Sequence, residues 1–454
     1  MTVARQLSEF LTGVSVKDLP DQAMDHAAMV VASTFASAAF GTTIESAQII
    51  RDLTKEQGGR PDATIWFDGG DKLPVTQVAR TNAMLSDAAA SDDSDLRNIV
   101  HAGTPLTATS LALAERLGAS GEDVLDAIVI GYEAAGRLSE PITPGFRNRG
   151  FHGCLGAAMA AAVSAARIMK LNAEQMAQSI AITAVSIGGL ATAADTSVAR
   201  EYHAGLAAMH GVNAALAAQR GYKVEERILE TYQGFFEAFG GVDGAAGAEV
   251  ALRGMGESWD IVTDMAIKLV PGGHPYHSFA EAAAKASRAG GFKPAEIESI
   301  EVSRPGLTKL SGPAHPADLI DMAHSPAYFL AAGAADGTFG WANASPAKIA
   351  DPVIHGLIDR VRVGAEPAEH GALYRQGATV TIRAFDGRFA RSTVLLPYGS
   401  GALGLDWADI EAKYHTLVPA SGLGASAITA SLAAARGLRH AADVSGLIGL
   451  LRCA

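Results

Sequence analysis

The 454-residue chain is poor in cysteine, in aromatic side chains and in positive charge. Its two cysteines, Cys154 and Cys453, form no CxxC pair. Two thiols cannot build a zinc site of three or four thiolates or hold an iron–sulfur cluster. They offer no disulfide framework, which points to a reducing, cytoplasmic compartment. Aromatic residues make up 6% of the chain and charged residues 19%, against 48% hydrophobic, a globular balance. The net charge of -12 argues against a nucleic-acid partner, which calls for a basic face. It leaves room for an anionic ligand, because a cationic pocket acts over a short range.

Long apolar runs are missing too. The stretch at 154–168, CLGAAMAAAVSAARI, is shorter than a membrane span and has polar flanks. The N-terminal MTVARQLSEFLTGVSVKDLP carries charges throughout and lacks the apolar core of a signal peptide. No membrane partner is expected. HExxH, HxxxH, GxxxxGK[ST] and GxSxG do not occur. The one short HxxH, His274 to His277, has no acidic neighbour, so no metal is expected. The GxGxxG at 399–404 has no second strand after it and reads as a loop.

Helical periodicity is what the chain has most of. Patterning and stop signals predict helices at 20–40, 43–58, 75–88, 104–117, 122–138, 154–169, 173–186 and 203–220, with a short extended piece at 64–67. Several are Ala- and Gly-rich on more than one face, which suits buried helices in close contact. The character changes near 257. An extended run is expected at 261–270, then strands at 297–304, 361–363, 378–384 and 390–396, with helices at 277–290 and 325–336. Asp386-Gly387 marks a hairpin. Helices return at 406–417, 424–436 and 440–451. The expected fold is mainly α with α+β: a large helical domain from both chain ends, 1–260 and 400–454, and an inserted α+β domain at 261–399.

Six of the 13 histidines fall in four segments of one design. His101 precedes Ala102-Gly103-Thr104-Pro105, and His152 precedes Gly153-Cys154. His203 follows Arg200-Glu201-Tyr202, with His210 two turns on; His274 and His277 follow Lys268 and Pro271-Gly272-Gly273. Each segment opens a helix, whose free N–H groups and partial positive charge favour carboxylates. If these segments converge, they form a polycarboxylate pocket with histidines for acid–base work. Any single such histidine is more often a cap or a surface group; the fourfold recurrence favours the pocket. His210 reads as a core residue and His324, before Ser325-Pro326, as a cap. His26, His315, His355, His370, His415 and His440 lack supporting context. In the acidic string Ser91-Asp92-Asp93-Ser94-Asp95 one carboxylate could orient His101 or bridge to Arg97 or Lys268; a solvated loop or helix cap fits the spacing equally. Asp93 and His203 join the substrate-binding candidates.

These segments resemble the signatures of the MmgE/PrpD family. The resemblance runs through SDDSDLRNIVHAGTPLTATSLALAERLGASGEDVLDAIVIGYEAAGRL, the GFHGC-like stretch around GFRNRGFHGC, REYHAGLAAMHGVNAALAAQRG, KLVPGGHPYHSFAEAA, HSPAYFLAAGAADG and DWADIEAKY, in order along nearly the whole chain. The family includes 2-methylcitrate dehydratase, cis-aconitate decarboxylase and iminodisuccinate epimerase. The resemblance implies a homodimer without a cofactor and an active site between the domains. It implies pocket residues His101, His152, Arg200, Lys268, His277 and Tyr328, with His274 an alternative to His277. Dehydratase and decarboxylase relatives usually have lysine where this chain has Arg200, and many members have Asp-Asp-Thr where it has Asp-Asp-Ser-Asp.

The expected activity is therefore proton abstraction beside a carboxylate of a small di- or tricarboxylate, with a 2-methylcitrate dehydratase-like lyase as first reading. Iminodisuccinate epimerase-like or cis-aconitate decarboxylase-like chemistry is the alternative, and a non-catalytic anion-binding helical protein the reading from another class. Arg200 and Lys268 are expected to clamp carboxylates. His101 and His152 are expected to divide base and acid roles, with Tyr328 as a further donor.

Overall fold

The computed structural model describes residues 1–367 and 371–453, so His370 lies outside the described residues. The chain divides into two compact units. One contains Met1–Ala194, Val198–Ile267 and Leu405–Ala454; the other contains Asp195–Ser197 and Lys268–Gly404.

The first unit is helical. Its main helices are Asp21–Gly41, Glu45–Gln57, Val75–Ala88, Gly103–Leu117, Gly121–Ser139, Cys154–Ile168, Ala173–Ala184 and Ala199–Gln219. Local chemistry sets several ends. Ser120 and Asp123 form a capping box at one start, and Asn172 with Gln175 forms another. Gly118 closes the Gly103–Leu117 helix in the left-handed conformation. Asp21–Gly41 and Cys154–Ile168 are buried along almost their whole length. Their small side chains let neighbouring backbones come close. Ala199–Gln219 lies against Cys154–Ile168, and a Cβ at Gly211 would stand 2.5 Å from Ala161. The tail helix Trp407–Leu417 packs on Asp21–Gly41 and donates the Trp407 indole N–H to Asp25 at 2.8 Å.

Two expectations for this unit need correction. The segment 261–270 is not one extended run: Asp260–Thr263 is a helical turn, and only Met265–Ile267 is a strand. The turn is pinned because the Asp260 N–H donates to Glu133 and the Asp260 carboxylate accepts from Arg97 at 2.7 Å. The last expected helix, 440–451, is a 3-10 turn at Leu438–His440 followed by Ser445–Leu450. Asp443 breaks it by accepting from the Ser445 N–H. Strand Met265–Ile267 pairs antiparallel with Asp93–Asp95, Asp93 opposite Ile267.

The second unit is built on a four-stranded sheet in the order Val361–Val363, Ile297–Ser303, Ala378–Ala384, Phe389–Val394. The first pair is parallel and the others are antiparallel. Alternation along Ala378–Ala384 turns Val380 and Ile382 into the core. Helices His274–Gly290 and Pro326–Asp336 pack together against this sheet, with Phe279, Tyr328 and Phe329 in the shared core. His274–Gly290 starts three residues before its expected opening, with Pro275 in its first turn. His324 ends the short Leu319–Ala323 helix and contacts the Ile320 carbonyl through Nδ1. Ser325, not His324, caps the next helix, accepting from the Tyr328 N–H. Among the described residues, no single helix is long and apolar enough to cross a membrane.

Candidate active site

Three of the expected histidines form a row in the helical unit. The His101 and His152 ring centroids are 6.4 Å apart, and those of His152 and His203 are 5.3 Å apart. His101 precedes the Gly103–Leu117 helix and His152 the Cys154–Ile168 helix, while His203 sits inside Ala199–Gln219. Ala199–Gln219 thus begins before its expected start at 203, so His203 lies a turn in rather than at the opening. Glycine at 153 is required here: a Cβ would stand 2.8 Å from the Ile99 carbonyl oxygen. That close approach sets the His152 segment against the chain leading into His101. Behind His152, its N–H donates to the Gly189 carbonyl at 3.0 Å.

His101 is the best oriented of the three. Its Nδ1 lies 2.7 Å from the Asp93 carbonyl oxygen, 2.9 Å from the Asp92 carboxylate and 3.0 Å from the Ser94 hydroxyl. A carbonyl and a carboxylate only accept, so Nδ1 carries the proton. Nε2 is left as the basic nitrogen. The acidic string is itself held firmly. Ser91 contacts Ser37, and its carbonyl also accepts from the buried Lys413 of the tail helix, whose ammonium reaches Ser33 at 2.8 Å. Residues 93–95 are fixed by the short ladder.

Asp93 does not have the substrate-binding role expected of it. It is 3% exposed, and its carboxylate accepts from the Gly103 N–H and from the Tyr132 hydroxyl at 2.8 Å. The start of the Gly103–Leu117 helix is therefore already occupied by a protein carboxylate rather than left for a ligand. Burial and the neighbouring Asp92 push the Asp93 carboxyl up to about 6. Asp95 turns the other way, to Arg97, which also joins Asp260 and Glu140. The string divides its labour: Asp92 faces His101, Asp93 caps a helix, and Asp95 anchors the Arg97 network.

His152 is held neutral. Burial lowers its pKa well below the ordinary histidine value, and His101, His203, Arg147 and Arg200 lower it further. Burial also lowers His203, against the opposing pull of Asp87. The Nδ1 atoms of both rings are buried and accept or donate no hydrogen bond among the described residues. Arg200 is not an open clamp. Its Nε donates to the Asp87 carboxylate at 2.8 Å, and its Nη2 donates to the Asp87 and Ala88 carbonyls. Cys154 was not singled out as a site residue, yet its Sγ and ring nitrogens of His152 and His203 all lie within 4.8 Å of one another.

The remaining candidates belong to the second unit. Lys268, His274 and His277 are buried. The His274 and His277 rings are 4.7 Å apart, His277 stacks on Phe329, and its Nε2 lies 3.2 Å from the Gly272 carbonyl. A cavity of about 240 Å³ in this unit is lined by His277, Glu281, Lys285, Arg288, Phe339 and Tyr398, among others. Tyr328 sits fully buried and donates its hydroxyl to the Asn343 carbonyl at 2.8 Å. That is the position of a core tyrosine, whose hydroxyl is already committed.

The MmgE/PrpD N-terminal domain matches residues 5–246 and the MmgE/PrpD C-terminal domain matches 271–429. The chain belongs to the MmgE/PrpD family, and its relatives support an enzyme of lyase type. It is 24% identical to human cis-aconitate decarboxylase over 432 residues, 91% of this chain and 87% of the human protein. It is 26% identical to the mouse cis-aconitate decarboxylase over 243 residues, 52% of this chain and 49% of the mouse protein.

Proposed function

We propose that this chain is a lyase acting on a citrate- or aconitate-type tricarboxylate, with its own histidines moving the proton. The carrying observation is the fixed tautomer of His101, whose Nδ1 faces the Asp92 carboxylate and the Asp93 carbonyl. His101 Nε2 takes a proton from, or returns one to, the carbon beside a substrate carboxylate, and Asp92 stabilises the imidazolium formed. His152, kept neutral by burial and nearby cations, donates a hydrogen bond to the oxygen on which negative charge develops. A neutral imidazole serves that step better than a strong acid, because it stabilises the charge without capturing the proton.

The likeness to cis-aconitate decarboxylases favours a tricarboxylate with an aconitate skeleton. Such a skeleton is the substrate in decarboxylation and the product type in dehydration of a citrate. Both reactions need the same pair, a base or acid at carbon and a donor at oxygen. The 2-methylcitrate dehydratase-like reading therefore stands beside decarboxylation as a finer choice within one mechanism.

Proton NMR in deuterated water separates these reactions. The protein is incubated separately with 2-methylcitrate, citrate, cis-aconitate and iminodisuccinate. A new vinyl signal from a citrate marks dehydration, and loss of carbon dioxide from cis-aconitate marks decarboxylation. Exchange of an α-proton without a new compound marks an epimerase. On the substrate so found, His101→Ala is expected to lower kcat by roughly 10²–10⁴. Full activity of both His101→Ala and His152→Ala would remove the proton-transfer assignment.

A further inference from the structure

We propose that His152, Cys154 and His203 form a binding site for one thiophilic divalent cation, Zn²⁺ in particular, with the fourth coordination position open. Their ligand atoms lie within 4.8 Å of one another. A tetrahedral zinc site with two nitrogens and one sulfur needs separations of roughly 3.3–3.7 Å, given bonds near 2.0 and 2.3 Å. The gap is closed by side-chain rotation of about an ångström. One further observation points to a ligand. Both Nδ1 atoms are buried with no hydrogen-bond partner among the described residues, a cost that a Lewis acid removes. The Cys154 sulfur, also buried, donates to the Gly188 carbonyl at 3.2 Å and faces the backbone N–H groups of Cys154 and Leu155, which favour its thiolate. Neutral imidazoles and a thiolate are the ligand set that borderline-soft cations prefer.

Binding exchanges one proton for the cation: the Cys154 S–H bond breaks, sulfur bonds to zinc, and the proton leaves to solvent. No electron is transferred. The charges facing the site are Arg147 and Arg200 near His152, and Asp87 near Cys154 and His203. Asp87 pairs with Arg200, so the thiolate adds a negative charge where that cation is already balanced. Because His152 is a ligand, the side-chain rotation that closes the site around zinc would move its ring out of the position from which it hydrogen-bonds substrate. Reversible inhibition by zinc follows, and that consequence rests on the function proposed above; the binding itself does not.

Co²⁺ is the spectroscopic probe. Chelator-treated full-length protein is titrated anaerobically with Co²⁺, then with Zn²⁺ in competition. The expected result is one equivalent of Co²⁺ with a thiolate-to-cobalt band in the near ultraviolet and strong tetrahedral visible bands, all displaced by Zn²⁺. Cys154→Ser should abolish the thiolate band, and His203→Gln should weaken Co²⁺ binding at least about tenfold while keeping the band at saturation. Cys453→Ser, which changes the other thiol, should keep both. Circular dichroism confirms that each variant is folded; if Cys154→Ser does not fold, the His203→Gln titration decides alone. A missing band in the wild type, a band that survives Cys154→Ser, or unchanged affinity in His203→Gln would overturn the site. Zinc inhibition that Cys154→Ser relieves would join the site to catalysis. Cobalt binding in a protein inert towards every tricarboxylate would leave the site standing and overturn the function instead.

Discussion

Two histidine pairs start from the same sequence cue and finish in different surroundings. His152 and His203 lie near the openings of two helices in the helical unit, and His274 and His277 open one helix in the α+β unit. The rings of each pair are about equally close, 5.3 and 4.7 Å. Burial, and then the neighbouring imidazoles and two arginines, keep His152 neutral. Around the second pair stand the Phe329 ring and the Gly272 carbonyl, and His277 also lines the cavity that carries Glu281, Lys285 and Arg288. A helix opening places a histidine; the side chains brought to it from distant sequence decide whether it is reactive or structural.

Paired alanine variants separate the two histidine pairs most sharply. His152→Ala should lower kcat by about 10²–10³ with a small change in stability, because it removes an interaction made to developing charge. His277→Ala should instead cost roughly 2–4 kcal/mol of folding stability, measured by urea unfolding, through loss of its stacked, buried ring. A His277→Ala protein that keeps its stability and loses turnover would erase the distinction. Asp92→Asn probes the orientation of His101 without deleting a ring. It should lower kcat by on the order of 10–10³ and leave KM nearly unchanged, since the amide still fits but cannot stabilise the imidazolium. An unchanged kcat would detach Asp92 from the chemistry.

Stability against pH sharpens the contrast further. His152 has a lowered pKa, so below about pH 6.5 the unfolded chain binds a proton that the folded chain refuses, and stability is lost on acidification. His101, His203, Arg147 and Arg200 supply the charges that set this refusal alongside burial. Asp93 behaves oppositely: raised to about 6, it contributes stability at low pH that is lost as pH rises from near 4 through 6. Relative to wild type, His152→Asn should therefore look progressively better as pH falls below 6.5, and Asp93→Asn progressively worse below 6. Each slope has an upper bound of about 1.4 kcal/mol per pH unit. Urea midpoints between pH 4.5 and 7.5 test this, and parallel slopes would refute it. The smallest effect is expected at Tyr328→Phe: about 1 kcal/mol of stability from the lost bond to the Asn343 carbonyl. A hundredfold loss of turnover at unchanged stability would restore a catalytic hydroxyl there.

The helices were legible because their signals are local. Val75–Ala88 follows its pattern from end to end, and Gly118 stops the helix before it as a left-handed glycine should. The sheet was legible through alternation and the Asp386-Gly387 turn, whose glycine has φ 86. The recurring helix-opening pattern singled out His101 and His152, whose rings the fold brings to within 6.4 Å. What stayed hidden is long-range pairing. Nothing near Arg200 announces Asp87, 113 positions away. Nothing in Ser91-Asp92-Asp93-Ser94-Asp95 says that Asp93 turns inward to Gly103 while Asp92 meets the imidazole, because strand pairing with 265–267 sets that orientation. A search for metal ligands by local spacing misses Cys154 with His203, since the helices that carry them meet only through close packing.

The return of Leu405–Ala454 to the helical unit has a consequence for how the protein is made. A ribosome delivers Lys268–Gly404 as one uninterrupted stretch, able to close its own sheet and core as it emerges. Asp21–Gly41, synthesised long before, must wait for Trp407 and Lys413 to arrive. In that interval the apolar side destined for the tail helix stands uncovered on the nascent chain. The helices after Leu405 are thus the latch of a unit begun before the α+β stretch was made, and that interval is when a holding chaperone has most to protect.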